Sequence, residues 1–319
     1  MGAGRLYGLD ALRGIAALFV FAEHFSQAYG LPIPKIAAGA AVDLFFALSG
    51  FVMARTYEAQ MRDGLRAGDF LAVRYRRLWG CAAFGSTLGL VLIFVSGRYD
   101  PAVLADFAAT LLFLPAVWSA NYFAINLPVW SLFVEVVMNA LHASVLGRMK
   151  DRILALLLAF CLVLLIASKL VGGQSYITDA QSLSAGLSRG LFYYVLGIWL
   201  FRRYGDAPLR IPPFMAISLL VACLVSIDLF HHLFFTALFL VACPVIIRGA
   251  IYLPKSGWAF WLGAISYPLY AVHLPIVGLA RHLEWSPVTA LVVIAGATIA
   301  ATLLFEVKRK TVVPALLPA

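Results

Sequence analysis

Residues 287–305 read PVTALVVIAGATIAATLLF, a run of 19 residues that contains no charged side chain. A helix of about 20 such residues crosses the ~30 Å hydrocarbon core of a bilayer. Similar runs recur along the chain, in which 63% of the 319 residues are hydrophobic and 12% are charged. Soluble domains hold roughly 45–50% apolar and about 25% charged residues. Because a soluble fold of this length could not bury so much apolar surface, we predict an integral membrane protein.

The continuity of the apolar runs decides between the two structures that can span a bilayer. A closed β-barrel would show weakly alternating segments of about ten residues, whereas unbroken runs are typical of helices. We predict an all-α polytopic membrane bundle of about ten transmembrane helices, forming a single transmembrane domain over 1–319. The predicted spans are 10–29, 39–58, 79–97, 128–146, 153–172, 185–201, 213–230, 232–250, 259–279 and 287–305.

One further apolar stretch, 104–118, is short and contains Asp106 and Pro115. If it does not cross and the N-terminus is cytoplasmic, 19 of the 24 Lys and Arg residues fall on the cytoplasmic side. The five on the outer side are Lys35, Arg98, Lys169, Arg189 and Arg281. An eleventh span would turn the basic clusters of the middle region outward, against the positive-inside rule. We therefore expect 104–118 to lie in the outer interface or to re-enter from outside, with both termini cytoplasmic.

The net charge of +9 does not indicate a nucleic-acid partner, because the charges lie between apolar runs, as a topology signal does. The four cysteines lie inside apolar runs without a CxxC or histidine pairing, and we interpret them as small buried hydrophobes. No metal site is expected. The first apolar run carries Glu23 and His24 and lacks a small-residue cleavage site, so no cleavable signal peptide is predicted.

The first span places Arg13 and His24 eleven positions apart. Eleven residues make three turns plus roughly 20°, so both side chains share one helix face, about 16 Å apart in height. Polar side chains inside a span are costly and usually face a cavity, which makes Glu23 and His24 candidate functional residues. The alternatives are a snorkelling anchor for Arg13 and an interhelical hydrogen bond for His24.

Five motifs follow one another along the chain. They are LDALRG (9–14) with the Arg-x10-His spacing, DLFFALSGFVMAR (43–55), RYRR (74–77), PVWSLFVEVVMN (128–139) and ISYPLYAVHLPI (265–276). In this order they resemble the acyltransferase-3 family of membrane-bound O-acyltransferases of the bacterial glycan-modifying type. One position departs from the family pattern, because Val136 follows Glu135 where many members carry a second carboxylate.

The resemblance implies an enzyme of the inner membrane that moves an acyl group from acyl-CoA, with acetyl-CoA the expected donor, to a hydroxyl of a glycan or similar acceptor. Acyl-CoA is a substrate here, and no permanently bound cofactor is expected. The donor phosphates suit Arg74 and Arg77, with Arg55 and Arg13 as further candidates, because guanidinium groups match phosphate geometry. Topology alone would also explain these arginines.

The predicted spans put three ionisable residues, His24, Glu135 and His273, roughly 10 Å beneath the outer surface. Histidine titrates in the range that a general base needs, so we expect His24 to be the base. Glu135, or else Glu23, would orient its imidazole, and His273 is the second candidate for the base. Four residues are expected to line the substrate channel or hold the oxyanion, with packing as the alternative role: Ser49, Trp130, Tyr267 and Arg189.

Two other classes of function remain open from sequence. Spans with internal His, Glu and Arg also suit a proton-coupled transporter or flippase, although no internal repeat is visible. A non-catalytic membrane scaffold would tolerate replacement of His24, whereas an enzyme would not.

Overall fold

The computed structural model describes residues 4–33, 35–98, 101–170, 176–225 and 232–307, and within these ranges all regular structure is helical. The helices are α1 (Tyr7–Tyr29), α2 (Ala38–Arg62), α3 (Ala67–Val95), α4 (Val103–Leu111), α5 (Val129–Ser144), α6 (Asp151–Leu170), α7 (Ala180–Tyr204), α8 (Pro213–Val225), α9 (His232–Ala250), α10 (Gly257–His282) and α11 (Pro287–Ala301). A 3₁₀ turn, Leu146–Arg148, follows α5, and a π-helical segment, Thr302–Val307, continues α11. The predicted all-helical class is confirmed.

In the described ranges, six helices are long and apolar enough to cross a membrane. They are Ala38–Arg62, Ala67–Val95, Val129–Arg148, Asp151–Ser168, Gly257–His282 and Pro287–Val307. α1 and α7 have 23 and 25 residues but carry charged side chains within their apolar runs. α8 and most of α9 form shorter apolar helices. The number of ten spans therefore stays a prediction. The predicted hairpin at 230–232 and the basic cluster at 308–310 fall wholly or partly outside the described residues.

α1 packs mainly against α10, and the two helices run parallel. Gly14 of α1 opposes Leu262 of α10, and His24 opposes His273 further along both helices. A Cβ on Gly14 would collide with the backbone of Leu262, so glycine is required at this close approach. Small residues commonly let membrane helices approach in this way. The glycine of the LDALRG motif thus sets the contact that brings His24 to α10.

α2 and α7 form a second close pair, held by buried ion pairs near both ends. Asp43 Oδ1 accepts hydrogen bonds from Arg189 Nη2 at 2.8 Å and Nε at 3.1 Å. Near the other end, Arg202 Nη2 donates to Glu58 Oε1 at 2.8 Å and to the Leu146 carbonyl at 2.9 Å. Because buried charges need partners, these pairs fix the register of the two helices.

The stretch predicted not to cross contains α4, whose nine residues span about 14 Å. The carbonyl of Leu111, at the end of α4, accepts hydrogen bonds from Tyr75 Oη and Trp79 Nε1 of α3, each at 3.1 Å. The following segment packs into the bundle, where Asn126 Nδ2 donates to the Ala271 carbonyl of α10 at 3.1 Å. α5 therefore begins inside the bundle, beside the middle of α10.

Candidate functional site

A cavity of about 90 Å³ lies between α1, α2, α3, α5, α10 and the π-helical segment. We call it the arginine cavity, after the charged residues that line it: Arg13, Arg74, Arg77, Glu135 and Glu306. Hydroxyl groups also line it, from Ser49, Ser131, Ser266, Tyr267 and Tyr270. A polar, charged cavity inside an apolar bundle is the usual form of a functional site in a membrane protein.

The arginines of the RYRR motif lie on a helix and not in a loop. α3 begins at Ala67, twelve residues before the predicted start at residue 79. Arg74 and Arg77 are three positions apart on this helix, so their side chains share one face, which borders the cavity. Arg74 is 6% exposed, and its Nη2 donates to Glu135 Oε1 at 2.6 Å.

Glu135 belongs to this arginine cavity, and the predicted pairing of Glu135 with His24 is wrong. Its Oε1 accepts the hydrogen bond from Arg74 and a second one from Ser49 Oγ at 3.1 Å. The predicted common depth of His24 and Glu135 requires the predicted span 128–146 to begin at the outer surface. Since α5 begins inside the bundle, Glu135, six residues after Val129, lies about 9 Å deeper still.

The hydrogen-bond partner of His24 is His273, the second candidate for the general base. Nδ1 of His24 lies 2.9 Å from Nε2 of His273, and the two rings are nearly parallel, edge to edge, with centroids 5.1 Å apart and an interplanar angle of 10°. His273 is fully buried, and His24 is half-buried. We call these two residues the histidine pair.

The surroundings of His273 determine which nitrogen of each ring carries the proton. Nδ1 of His273 lies 3.0 Å from the carbonyl oxygens of Leu269 and Tyr270, which can only accept. In the neutral pair, His273 is therefore protonated at Nδ1, and its Nε2 accepts a hydrogen bond from Nδ1–H of His24. This leaves Nε2 of His24 unprotonated, with a lone pair available to take a proton.

Glu23 has a structural contact instead of a contact with the His24 ring. Its Oε2 accepts a hydrogen bond from the backbone N–H of Ala38 at 3.0 Å, and its Oε1 accepts from Gln27 Nε2 at 2.9 Å. Ala38 is the first residue of α2, whose early N–H groups lack partners within the helix. The carboxylate of α1 thus caps the N-terminus of α2.

The other arginine candidates divide according to their partners. Arg55 forms two hydrogen bonds of 2.7 Å with the carboxylate of Asp206 and does not line the arginine cavity. Among the described residues, no carboxylate lies within ion-pair distance of Arg13 or Arg77, and both line the cavity. These two guanidinium groups are the ones available to an anionic ligand.

Of the four predicted channel residues, Arg189 and Trp130 pack away from the cavity, whereas Ser49 and Tyr267 line it, and Ser49 binds Glu135. Arg189 is 2% exposed and held by Asp43, and its guanidinium lies 6.0 Å from the ring centroid of Trp130. Trp130 is 4% exposed within the apolar core. Tyr267 borders the cavity, and its hydroxyl donates to the Leu78 carbonyl.

Tyr270 lies between the arginine cavity and the histidine pair, a position that the sequence analysis did not single out. Its ring centroid is 6.0 Å from that of His273, and its hydroxyl is 2.9 Å from Ser131 Oγ. Glu306 was also missed. The available signals were the place of Tyr270 within the SYPLYAVH motif and the single carboxylate of Glu306 at the end of the last apolar run.

The fold and site define a polytopic helical protein with an internal polar site. The sequence profile of the acyltransferase-3 family, described as "Acyltransferase domain", matches residues 6–307. The chain belongs to this family and is an integral membrane protein. It is 36% identical over 181 residues to "Protein 2 in picA locus" from Rhizobium radiobacter, a match that covers 50% of this chain and 93% of that protein. No solved structure matches the chain.

Proposed function

We propose that this protein transfers an acyl group from acyl-CoA to a hydroxyl group of a glycan-type acceptor, with His24 as the general base. The observation that carries the proposal is the histidine pair, whose hydrogen bonds leave Nε2 of His24 free to accept a proton. The family supports acyl transfer as the reaction. The family resemblance supports acyl-CoA and the glycan hydroxyl as the two substrates.

In the proposed step, Nε2 of His24 takes the proton of the acceptor hydroxyl as its oxygen attacks the thioester carbonyl. The tetrahedral intermediate then collapses, the C–S bond breaks, and the thiolate recovers the proton from the His24 imidazolium. The products are the acylated acceptor and free CoA. General base catalysis of this kind contributes about 10²–10⁴-fold to the rate.

His273 takes the positioning role that was expected of Glu135. Its Nε2 accepts from Nδ1–H of His24, which fixes the orientation and tautomer of the base, much as the carboxylate does in a triad. A neutral imidazole stabilises the imidazolium less than a carboxylate would. His273 therefore contributes mainly by orienting the His24 ring, and less by stabilising the positive charge that the ring acquires.

The donor phosphates are proposed to bind at Arg13 and Arg77. Both guanidinium groups border the arginine cavity without a carboxylate within ion-pair distance among the described residues. Arg13 is about 16 Å below His24 along α1, a distance that an extended pantetheine arm can bridge. Acetyl-CoA is the expected donor, bound from the cytoplasmic side of a bacterial inner membrane.

The test uses purified protein in detergent with radiolabelled acetyl-CoA and a glycan extract from the producing cells. We expect the label to appear in the glycan with wild-type protein and to be absent with His24→Ala, which should still bind CoA. Accumulation of unmodified substrate in proteoliposomes, without label transfer, would favour the transporter instead.

A further inference from the structure

The C-terminal end of the last helix places a carboxylate inside the arginine cavity. α11 changes into the π-helical segment Thr302–Val307, and Glu306 of this segment is half-buried and lines the cavity beside Arg13, Arg74 and Arg77. π-helical turns are rare and occur often at functional sites. A carboxylate next to a proposed phosphate site needs an explanation, because it opposes the binding of an anion.

The position of Glu306 is fixed by its neighbour. The ring of Phe305 packs against Gly80 of α3, where a Cβ would come within 2.6 Å of the Phe305 ring. The same ring lies 6.5 Å, centroid to centroid, from Phe84 one turn further along α3. The absence of a side chain at Gly80 therefore admits Phe305 and directs the segment toward the cavity.

Positively charged side chains outnumber negatively charged ones in the cavity. Arg74 is neutralised by Glu135 at 2.6 Å, which leaves Arg13 and Arg77 facing Glu306. Glu306 and Arg77 line the same cavity, although no ion pair forms between them. With Glu306 ionised, three guanidinium groups face two carboxylates, and only one positive charge remains in excess.

We propose that Glu306 is a resident counter-ion that limits how tightly the arginine cavity holds the phosphates of CoA, so that the CoA product is released after transfer. This inference rests on the proposed function, which makes acyl-CoA the donor. When the cavity is empty, the negative charge of Glu306 partly neutralises Arg77. When CoA binds, the same charge repels the phosphates. It is a residue that tunes affinity and takes no part in proton transfer.

The test measures CoA binding by calorimetry with purified full-length protein in detergent. Two charges about 10 Å apart near a protein surface interact by enough to change affinity several-fold, so Glu306→Gln should bind CoA about three- to tenfold more tightly. The CoA dissociation rate should fall by a similar factor. Both differences should shrink as the salt concentration rises, because the charges are partly exposed to solvent.

Asp63→Asn is the matched control, since Asp63 is exposed at the end of α2 and does not line the cavity. It should leave CoA affinity unchanged. Unchanged or weaker CoA binding by Glu306→Gln, in protein with the wild-type melting temperature, would overturn the role of Glu306 and leave the proposed function intact. If wild-type protein and both variants fail to bind CoA, the donor proposal itself is wrong, and the role of Glu306 fails with it.

Discussion

Nδ1 of His24 and Nε2 of His273 are 2.9 Å apart although 249 residues separate them in the chain. The hydrogen bond joins α1 to α10 and makes one histidine the support of the other. It predicts unequal effects of replacing them. His24→Ala should lower kcat by about 10²–10⁴-fold, since the base is lost. CoA affinity should be unchanged, because Arg13, a proposed phosphate ligand, is about 16 Å from His24 along α1.

His273 should behave as a positioning residue. His273→Gln keeps a side-chain oxygen that can accept from His24 Nδ1–H, so it should retain more activity than His273→Leu. Both should lower kcat with little change in KM, and the pH–rate profile should shift because the environment of the base changes. His282→Ala, at the exposed end of α10, is the control. Equal loss of activity in the Gln and Leu variants would contradict the role of this hydrogen bond.

Replacing Arg77 and replacing Arg55 should have different effects on CoA binding, because Arg55 is already paired with a carboxylate and Arg77 is not. Arg77→Ala should weaken CoA binding, and Arg77→Lys should restore it only in part, because a lysine cannot form the bidentate contact of a guanidinium. Arg55→Ala is the matched control, since Arg55 is already paired with Asp206 outside the cavity. Calorimetry in which Arg55→Ala loses CoA binding while Arg77→Ala keeps it would reverse this assignment.

Glu23 should affect stability more than chemistry. Glu23→Leu removes the cap of α2 and should lower the free energy of unfolding by about 0.5–2 kcal/mol, the usual cost of a lost helix cap. Glu23→Gln keeps an acceptor for the Ala38 N–H and should be milder. Thermal unfolding in detergent, with kcat measured per folded molecule, checks this. A loss of kcat in stably folded Glu23→Gln would indicate that Glu23 has a catalytic role.

The buried pair of Arg189 and Asp43 should be sensitive to the loss of one member. Removing one partner leaves an uncompensated buried charge, which costs about 3–5 kcal/mol. Arg189→Leu alone should therefore melt far below wild type, and the double variant with Asp43→Leu should recover part of the loss. A double variant no more stable than Arg189→Leu would show that the pair does not act as a unit.

Cysteine labelling tests the topology. The four native cysteines are buried and form no disulfide, so an introduced surface cysteine should be the main labelled site. A cysteine replacing Lys150 (Lys150→Cys) should react only after the membrane is permeabilised, whereas Lys35→Cys should react in intact cells. The opposite pattern for Lys150→Cys would mean that the 104–118 region does cross.

The sequence alone predicted much of the fold and the types of residue in the site. The length of the apolar runs indicated a helical membrane bundle, because crossing a bilayer imposes a length that can be counted directly. Motif order identified the acyltransferase-3 family. The family resemblance singled out Arg74 and Arg77, and both line the arginine cavity.

The pairing of the site residues was decided only by tertiary structure. Glu135 meets Arg74 because the segment after α4 folds into the bundle and starts α5 deep inside it, a depth that no periodicity within α5 encodes. His24 meets His273 because a glycine contact fixes the height of α1 against α10. Glu306 reaches the cavity through the packing of Phe305 on Gly80. Helix formation depends on neighbouring residues, whereas these contacts depend on the relative heights of helices that are distant in the chain.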